Sequence, residues 1–338
     1  MEKILTVTVP AYNAEPWLAT NLDSLCGSGP AEDLEILVIN DGSTDGTGEL
    51  ADSYAKRFPG IVRVIHKENG GHGSGINRGI REASGKYFKV IDADDWVRPD
   101  AFARFLDFLR SADSDIVASG FYWAYDDGSG NPYSFRTEAE IAEPFPGVRF
   151  CREYRFDEIA DRIYLKIHNF TIRTEILKAH MLPLDEQCFY VDTEFIAYPI
   201  PWVETVIFFP EFVYMYRIGT AGQSVSMERM QRNARNYDRV LNSMFLFYDS
   251  PNVKNCGKKK QVYIARITAR ALAARIRIFL SFPPSAKTRE KLVRYDRMVR
   301  RMHKDIYAAN VNRGVTLLRF SGYLLYWPAS ALVRKKYG

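Results

Sequence analysis

Along the first 125 residues, short apolar runs alternate with segments in which apolar side chains recur every three or four positions. The runs are rich in β-branched residues, as in strands that are buried on both faces of a sheet. Five strands are predicted, at residues 4–10, 34–40, 61–67, 86–92 and 115–125. Between them, sets such as Leu50, Tyr54 and Phe58 have helical spacing. The pattern predicts an α/β fold, with a mostly parallel sheet flanked by helices.

The pattern changes after residue 125. Residues 126–150 are rich in Gly, Pro and acids and predict a loop, while residues 151–220 predict a mixture of short helices and strands. From about residue 227 the chain is helical and basic, and Ile264, Ile267 and Ile278 share one predicted helix face. We therefore predict two domains, 1–220 and a basic helical region, 221–338.

Charge is distributed unevenly between the two predicted domains. Residues 251–338 hold 21 Lys and Arg against 3 Asp and Glu, although the net charge of the whole chain is only +5. Such asymmetry predicts that the basic part contacts a polyanion, either nucleic acid, an anionic membrane surface or lipid phosphates. The segment 320–333 is uncharged and precedes Arg334, Lys335 and Lys336. It is too short to span a bilayer and predicts either an interfacial helix on an anionic membrane or a packed core helix.

The cysteines and the N-terminal residues indicate the cellular compartment in which the protein is expected to act. The four cysteines, Cys26, Cys151, Cys188 and Cys256, have no CxxC spacing and are expected to be free thiols in a reducing compartment. The N-terminus has no long apolar signal region and leads directly into a strand. We expect a cytoplasmic protein, with peripheral association at the inner face of the cell membrane as a further expectation.

Polar or glycine-rich segments follow four consecutive predicted strands. The first strand ends in Pro10-Ala11-Tyr12-Asn13, the second at Asp41, the third before a glycine-rich stretch at 70–75, and the fourth in the acids at 92–95. Ligands of such sheets bind outside the carboxyl ends of the strands. Three carboxylates in four positions repel each other unless a cation lies between them. A Mg²⁺ or Mn²⁺ ion that also holds a nucleotide diphosphate would fit this arrangement.

Other nucleotide-binding motifs are disfavoured. The glycine cluster does not match GxGxxG, because Ile76 stands where the third glycine belongs, and it does not match GxxxxGK[ST] either. No group of His and Cys residues has zinc-site spacing. His168 and His180 are expected to make ordinary polar contacts. Each polar segment alone is a weak indication of a nucleotide site. The order and spacing of the four segments together are a much more specific indication.

Four segments in this order resemble glycosyltransferase family 2, a family of inverting enzymes with the GT-A fold. They are VPAYNAEPWL, VINDGSTDGT, NGGHGSGINRGI and KYFKVIDADDW. The resemblance is strong over residues 1–125 and looser to residue 220. It implies a GT-A catalytic domain at 1–220 and a nucleotide-sugar donor, most often a UDP-sugar.

The resemblance also implies roles for residues at the strand ends. Asp92 and Asp94 form a DxD motif, in which Asp94 binds the metal and Asp92 faces the ribose or sugar and the metal. The remaining donor-site residues that it implies are Pro10, Tyr12, Asn13, Asp41, Gly71, His72, Asn77 and Asp95. One departure is Gly75-Ile76-Asn77, where many relatives have Ala-Arg-Asn. His72 and Arg78 are candidates to replace the polarity of the missing arginine.

Two further roles lie in the second half of the resemblance. FYVDTEF (189–195) fits the position of the general base, with Asp192 as the base and Val191 in place of the usual first acid. The alternative is that Asp192 only caps a helix. Arg217 occupies the position of an arginine that binds the diphosphate of the donor. The alternative is that Arg217 only forms a surface salt bridge.

The predicted function is an inverting glycosyltransferase. It would move a hexose or N-acetylhexosamine from a UDP-sugar to a saccharide or lipid-linked acceptor in cell-surface polysaccharide synthesis. One alternative is a sugar-phosphate nucleotidyltransferase. Such an enzyme would need a glycine-rich phosphate loop after the first strand, and the chain has PAYNAEPWL there instead. The other is a nucleic-acid-binding protein that uses the basic region. Its aromatic residues cluster in an uncharged run instead of alternating with cations, so we expect no nucleic-acid partner.

Overall fold

The structure of the protein is a computed structural model, which describes residues 3–27, 32–125, 134–136, 145–218 and 227–337. The predicted loop at 126–150 lies mostly outside the described residues. The chain divides into two compact units, Met1–Thr220 and Ala221–Gly338. The assignment of a catalytic role to 1–220 and of a separate role to 221–338 stays a prediction.

The first unit contains ten strands and seven α-helices in its described residues. The strands are β1 (Leu5–Ala11), β2 (Leu34–Asp41), β3 (Val62–Lys67), β4 (Tyr87–Val90), β5 (Trp96–Val97), β6 (Ile116–Tyr125), β7 (Ser134–Arg136), β8 (Glu153–Arg155), β9 (Phe170–Arg173) and β10 (Thr205–Ile218). The helices are α1 (Glu15–Cys26), α2 (Thr47–Arg57), α3 (His72–Glu82), α4 (Pro99–Ser111), α5 (Phe156–Ile159), α6 (Thr174–His180) and α7 (Asp192–Ala197). Two 3₁₀ turns lie at Ile167–Asn169 and Ile200–Trp202.

One sheet contains all ten strands. Its main path runs β3-β2-β1-β4-β9-β6-β10-β5, with β7 paired to β6 and β8 paired to β10. The pairs among β3, β2, β1 and β4 are parallel, as the strand–helix alternation predicts, and β10 is parallel to β6. By contrast, β9 is antiparallel to both of its neighbours, β4 and β6. The sheet is therefore mixed, with a parallel half built by the first 90 residues.

The core of the first unit lies between the sheet and its helices. Every residue of β1 and β2 is buried, as expected for strands with helices on both faces. On α1, Leu18, Leu22 and Leu25 are completely buried against the sheet. Each such leucine contributes about 1.5–3 kcal/mol of hydrophobic free energy, which holds the helix and the strand ends in fixed relation.

Strand register brings the polar strand ends to one edge of the sheet. Ala11 at the end of β1 pairs with Asn40 near the end of β2, and Thr8 of β1 pairs with Val90 at the end of β4. The fourth strand is shorter than the predicted 86–92, so that Asp92 lies beyond the ladder. The residues that follow β1, β2 and β4 therefore share one edge.

The second unit is helical in its described residues. Its helices are α8 (Met227–Arg232), α9 (Ala234–Asp249), α10 (Pro251–Asn255), α11 (Lys258–Ser281), α12 (Ala286–Met302), α13 (Lys304–Ala308), α14 (Arg313–Phe320) and α15 (Tyr326–Tyr337). The predicted apolar face of α11 is buried at Ile264, Ile267 and Ile278. Within the described part of the chain, no helix combines the length and apolar character that crossing a bilayer requires.

Candidate active site

The acidic residues after β4 form a tight turn that α1 holds in place. The backbone amide of Asp95 donates to the carbonyl of Asp92 at 3.0 Å. Asn21, a buried residue of α1, donates its side-chain amide to the carbonyls of Asp92 (3.0 Å) and Asp95 (2.8 Å). Sequence reasoning missed Asn21, although a polar residue on the buried face of an amphipathic helix is a signal for such a role. The turn thus presents the acidic side chains in a fixed arrangement.

Asp95 ties this turn to β10. It is buried, and its carboxylate accepts hydrogen bonds from the Tyr214 hydroxyl at 2.5 Å and from the Arg217 backbone amide at 2.7 Å. Burial raises the pKa of Asp95 well above its ordinary value, and the nearby charges of Asp94 and Asp92 raise it further. Both oxygens of Asp95 contact β10 and so help to position that strand, and the contact of Asp95 with a donor stays a prediction.

Arg217 lies inside the site and not on the surface. Its side chain donates from Nε to the carbonyl of Asp94 at 2.7 Å, and its guanidinium lies 4.8 Å from the centre of the Trp96 ring. Only 3% of the residue is exposed. Arg217 is therefore a buried residue, and its role as a clamp on the diphosphate stays a prediction. Residues 219–226, which follow β10, lie outside the described residues.

His72 lies between two carboxylates that are far apart in sequence. It is the first residue of α3, and its Nε2 lies 2.8 Å from Oδ1 of Asp92. Its Nδ1 lies 3.8 Å from Oδ1 of Asp192. Burial lowers the pKa of His72, but the charge of Asp92 and the hydrogen bond to it outweigh burial and raise the pKa to about 9. The imidazole is therefore cationic at neutral pH and holds Asp92 and Asp192 in one site.

Asp192 begins α7 and faces this cluster. Val191 occupies the N-cap position of α7, and no side chain among the described residues caps the helix. Burial raises the pKa of Asp192, and Asp92 raises it further against the opposing charge of His72. The Asp192 side chain is still 49% exposed, and a carboxylate with a raised pKa is a stronger proton acceptor than one with an ordinary pKa. Asp192 lies in the first turn of the helix and not at its N-cap position, and its role as the base stays a prediction.

Asp41 holds the glycine-rich loop that precedes α3. Its buried carboxylate accepts hydrogen bonds from Lys67 (2.5 Å) and from the backbone amides of Gly70 (2.9 Å) and Gly71 (2.7 Å). Gly71 has a φ of +82°, and an added Cβ would lie 3.2 Å from backbone atoms of Gln187. The loop therefore needs glycine at position 71 for both its conformation and the close approach of another segment.

The remaining predicted donor-site residues lie around the same edge. Pro10 is buried one residue before the end of β1, and Tyr12, which follows the strand, is about half exposed. Asn13 has a φ of +49°, and its Oδ1 accepts from the amide of Thr44 at 2.8 Å. Asn77 is buried, and its amide group bonds the backbone of Leu184 at both ends, at 2.9 and 3.0 Å. Asn77 thus holds a loop in place, and its contact with a donor stays a prediction.

With this geometry in place, comparison with known proteins decides the family. Residues 6–178, just over half of the chain, match the sequence profile described as Glycosyl transferase family 2. The chain belongs to glycosyltransferase family 2. This confirms the resemblance that the four segments of the sequence indicate.

Relatives of this glycosyltransferase family 2 chain come from several bacteria. EpsJ of Bacillus subtilis (strain 168), an uncharacterized glycosyltransferase, is 32% identical over 221 residues, which are 64% of this chain and 62% of EpsJ. GlyG of Streptococcus pneumoniae serotype 4 is 32% identical over 164 residues, 48% of this chain and 50% of GlyG. A poly(ribitol-phosphate) beta-glucosyltransferase of Bacillus spizizenii is 33% identical over 115 residues, 33% of this chain and 18% of that protein. The matched region thus spans only half to three fifths of the first two relatives.

Solved structures confirm the GT-A fold with a C-terminal helical region. S. aureus TarS 1-349 in complex with UDP-GlcNAc has a TM-score of 0.66 at 18% identity, over 99% of this chain and 91% of TarS 1-349. The mannosyltransferase PcManGT from Pyrobaculum calidifontis, in complex with GDP-Man and Mn²⁺, has a TM-score of 0.54 at 16% identity, over 99% of this chain and 87% of PcManGT. At these identities the likeness concerns the fold.

The acidic turn fits a divalent cation by its donor chemistry. Ligand atoms of Asp92, Asp95 and His168 all lie within 4.8 Å of one another. His168 is partly buried, loss of solvent contact lowers its pKa to about 3, and its Nδ1 has no hydrogen-bond partner among the described residues. Carboxylate and imidazole donors suit Mn²⁺, and carboxylates suit Mg²⁺. His168 was expected to make only ordinary polar contacts, and the structure places it beside the acids because β9 inserts next to β4.

Asp94 lies outside that group, and its environment suits a carboxylate that binds a cation. Burial raises the pKa of Asp94 to about 6, and the charge of Asp92 raises it further, against the opposing charges of Arg217 and His72. In contrast to Asp95, no hydrogen bond from another described side chain reaches the Asp94 carboxylate. A bound divalent cation would offset this repulsion between carboxylates.

Mn²⁺ binding is expected to weaken as the pH falls through about 6. A carboxylate must lose its proton to bind a metal ion, and the pKa of Asp94 is raised to about 6. At pH 5 about one tenth of Asp94 is ionised, so the affinity for Mn²⁺ should be about tenfold lower than at pH 7.5. Electron paramagnetic resonance, which detects free Mn²⁺, measures the affinity at each pH. Asp94→Asn should remove the pH dependence, and an equal affinity of the wild type at both pH values would contradict the assignment.

Proposed function

We propose that the chain is an inverting glycosyltransferase that moves a hexose or N-acetylhexosamine from a UDP-sugar to a saccharide or lipid-linked acceptor. The observation that carries this proposal is the position of His72. It contacts Asp92, which belongs to the acidic turn, and lies close to Asp192, the proposed base. A donor on the acidic turn would therefore present its reacting carbon near a carboxylate that can receive a proton.

The strand ends would hold the nucleotide of the donor. Pro10, Tyr12 and Asn13 border one side of this edge, and Asp41 supports the loop with Gly71 on the other. Backbone amides of a glycine-rich loop can approach phosphate or ribose oxygens closely. The UDP-GlcNAc complex of TarS, which shares the fold, supports a uridine nucleotide. Asn77 would act by holding the loop at Leu184.

The proposed reaction is a single displacement at the anomeric carbon. Asp192 accepts the proton of the acceptor hydroxyl as its oxygen attacks the anomeric carbon. The bond between that carbon and the diphosphate oxygen breaks, and UDP leaves with the bonding electron pair. The configuration at the anomeric carbon is inverted, because the nucleophile enters opposite the leaving group.

Charge on the departing diphosphate needs stabilisation. Asp94 and Asp92 would hold a Mg²⁺ or Mn²⁺ ion, which neutralises phosphate charge when it is bound. The Mn²⁺ complex of PcManGT supports use of a divalent metal on this fold. Arg217, whose Nε contacts the turn at Asp94, would add its positive charge beside the same phosphates. The positive charge of His72 offsets the repulsion between Asp92 and Asp192.

The acceptor and the place of action are proposed from the relatives and the charge of the second unit. A relative named as a poly(ribitol-phosphate) beta-glucosyltransferase supports a cell-surface polymer as the product. We propose action in the cytoplasm, with peripheral association at the inner face of the membrane. Membership of glycosyltransferase family 2 favours sugar transfer over the nucleotidyltransferase and nucleic-acid-binding alternatives.

Calorimetric titration with UDP tests the donor site. The proposal expects UDP to bind in the presence of Mn²⁺ and to bind much more weakly after chelation of the metal. GDP is the matched control, because it differs only in its base and should bind less tightly. Tighter binding of GDP than of UDP, or no binding of either nucleotide with Mn²⁺, would contradict the proposed donor.

A further inference from the structure

Six large apolar side chains near the C-terminus face solvent. We call them the C-terminal apolar surface, and they lie on α14, on the turn after it and on α15. Phe320, Leu324 and Leu332 are 92%, 76% and 69% exposed. The full set is Leu317, Phe320, Leu324, Leu325, Trp327 and Leu332. Single exposed apolar residues are normal, but six within 16 positions mark an interaction surface.

Three side chains of the same segment, those of Arg319, Tyr323 and Ser330, hydrogen-bond to buried groups of the second unit. Asp296 of α12 is completely buried and accepts two hydrogen bonds from Arg319, at 2.9 and 2.7 Å. The Tyr323 hydroxyl donates to the same carboxylate at 2.7 Å. Ser330 is also fully buried and donates to the carbonyl of Leu280 at 2.7 Å. The segment is therefore held to the bundle by buried polar contacts.

An ordinary surface helix buries its apolar face and exposes polar residues. Val315, Leu318 and Tyr326 are buried in that way, but the exposed face of this segment is also apolar. Breaking a buried ion pair such as Arg319–Asp296 is costly, because it leaves a charge without its partner. The segment is thus fixed with its apolar side chains outward and cannot turn them into its own core without losing these contacts.

Positive charge surrounds the C-terminal apolar surface. The chain contains no Asp or Glu after Asp305. Arg313 at the start of α14 and Arg334, Lys335 and Lys336 in the last turns of α15 are all exposed. Apolar side chains flanked by cations suit the interface of an anionic bilayer. The apolar side chains enter the acyl region, and the cations contact the lipid phosphates.

We propose that the C-terminal apolar surface docks on an anionic lipid bilayer. Helix α15 has 12 residues, and its length of about 18 Å is too short to cross the hydrocarbon core. It would lie in the plane of the interface, with Phe320, Leu324 and Trp327 inserted among the lipids. This proposal rests on the proposed function, in which the acceptor is lipid-linked. It adds the residues that would bring the enzyme to a membrane-bound acceptor.

Co-flotation of the full chain with lipid vesicles tests the proposal. The vesicles are phosphatidylcholine alone or phosphatidylcholine mixed with phosphatidylglycerol. The protein should float with the mixed vesicles and much less with the neutral ones, and high salt should weaken binding. A double variant, Phe320→Ser with Leu324→Ser, should bind the mixed vesicles at least about tenfold more weakly. Arg334→Ser with Lys335→Ser should lose about tenfold in preference for the anionic vesicles.

The matched control is Leu246→Ser on α9. Leu246 is 77% exposed, as much as Leu324, but lies outside the C-terminal apolar surface. Its replacement should leave vesicle binding unchanged. Absence of wild-type flotation, or equal loss in the Leu246 variant, would overturn the proposal. So would a concentration-dependent dimer that the Phe320 and Leu324 replacements dissociate, because the occupant would then be a second copy of the chain.

UDP titration of the same proteins separates this proposal from the proposed function. The Phe320 and Leu324 variant should bind UDP with Mn²⁺ as the wild type does, which shows that its first unit is folded. Its helix content, measured by circular dichroism, should equal that of the wild type if the second unit is folded. Vesicle binding without any UDP binding would support the membrane surface and contradict the donor site. UDP binding without vesicle binding would contradict only the membrane surface.

Discussion

An Asp192→Asn variant is expected to lose about 10²–10⁴-fold in kcat while it binds UDP as tightly as the wild type. An amide has nearly the shape of a carboxylate but cannot accept the proton of the acceptor hydroxyl. Asp192 is proposed to contact the acceptor hydroxyl and not the nucleotide, and the amide keeps the shape of the side chain beside His72, so UDP binding should not change. Steady-state release of UDP from a UDP-sugar measures kcat, and calorimetry measures the affinity for UDP.

Asp157→Asn is the matched control for this prediction. Asp157 is an exposed acid in the first turn of α5, another short helix of the first unit. Its replacement should leave kcat and UDP binding unchanged. If Asp192→Asn retained the full kcat, a different group would have to receive the proton, and the proposed role of Asp192 would be wrong.

The Asp94→Asn variant is expected to lose the effect of Mn²⁺ on UDP binding and to lower kcat by about 10²–10³-fold. The carboxylate of Asp94 has a pKa raised to about 6 by burial and by Asp92. Asparagine removes this unfavourable charge, so the variant should be at least as stable as the wild type. Loss of activity in a stable protein would therefore report on the metal and not on folding.

Asp100→Asn serves as the control for Asp94→Asn. Asp100 is an exposed acid in the first turn of α4, a few residues along the chain, and should tolerate the change. Retained Mn²⁺-dependent UDP binding in Asp94→Asn would contradict the DxD assignment. The metal would then belong on the group that contains Asp92, Asp95 and His168.

The parallel half of the fold and the edge that holds the site follow from local sequence. Continuous apolar runs predict β1 and β2, and parallel strands place their carboxyl ends at one edge. That argument needs only the amino-acid sequence to bring Asp41, the glycine-rich loop and Asp92 together. Family resemblance was needed for Asp192, because nothing local in FYVDTEF distinguishes a base from a helix cap.

Other features depend on contacts between distant residues. The strand β9 lies antiparallel between β4 and β6, about 80 residues from β4 along the chain, and it brings His168 to the acids. Pairing at such separation leaves no periodic signal in the sequence. In the second unit, the apolar run at 320–333 predicted either an interfacial or a core helix, and only the buried contacts of Asp296 show which side chains face outward.

The stereochemistry of donor cleavage tests the central claim most directly. With water as acceptor, the enzyme and Mn²⁺ should slowly hydrolyse an α-linked UDP-sugar, such as UDP-N-acetylglucosamine or UDP-glucose. Proton NMR, recorded before the free sugar mutarotates, identifies the anomer that forms first. A single displacement with Asp192 as base predicts the β-anomer. The α-anomer formed first would contradict the inverting mechanism, and absence of cleavage across the UDP-sugars would contradict the proposed donor.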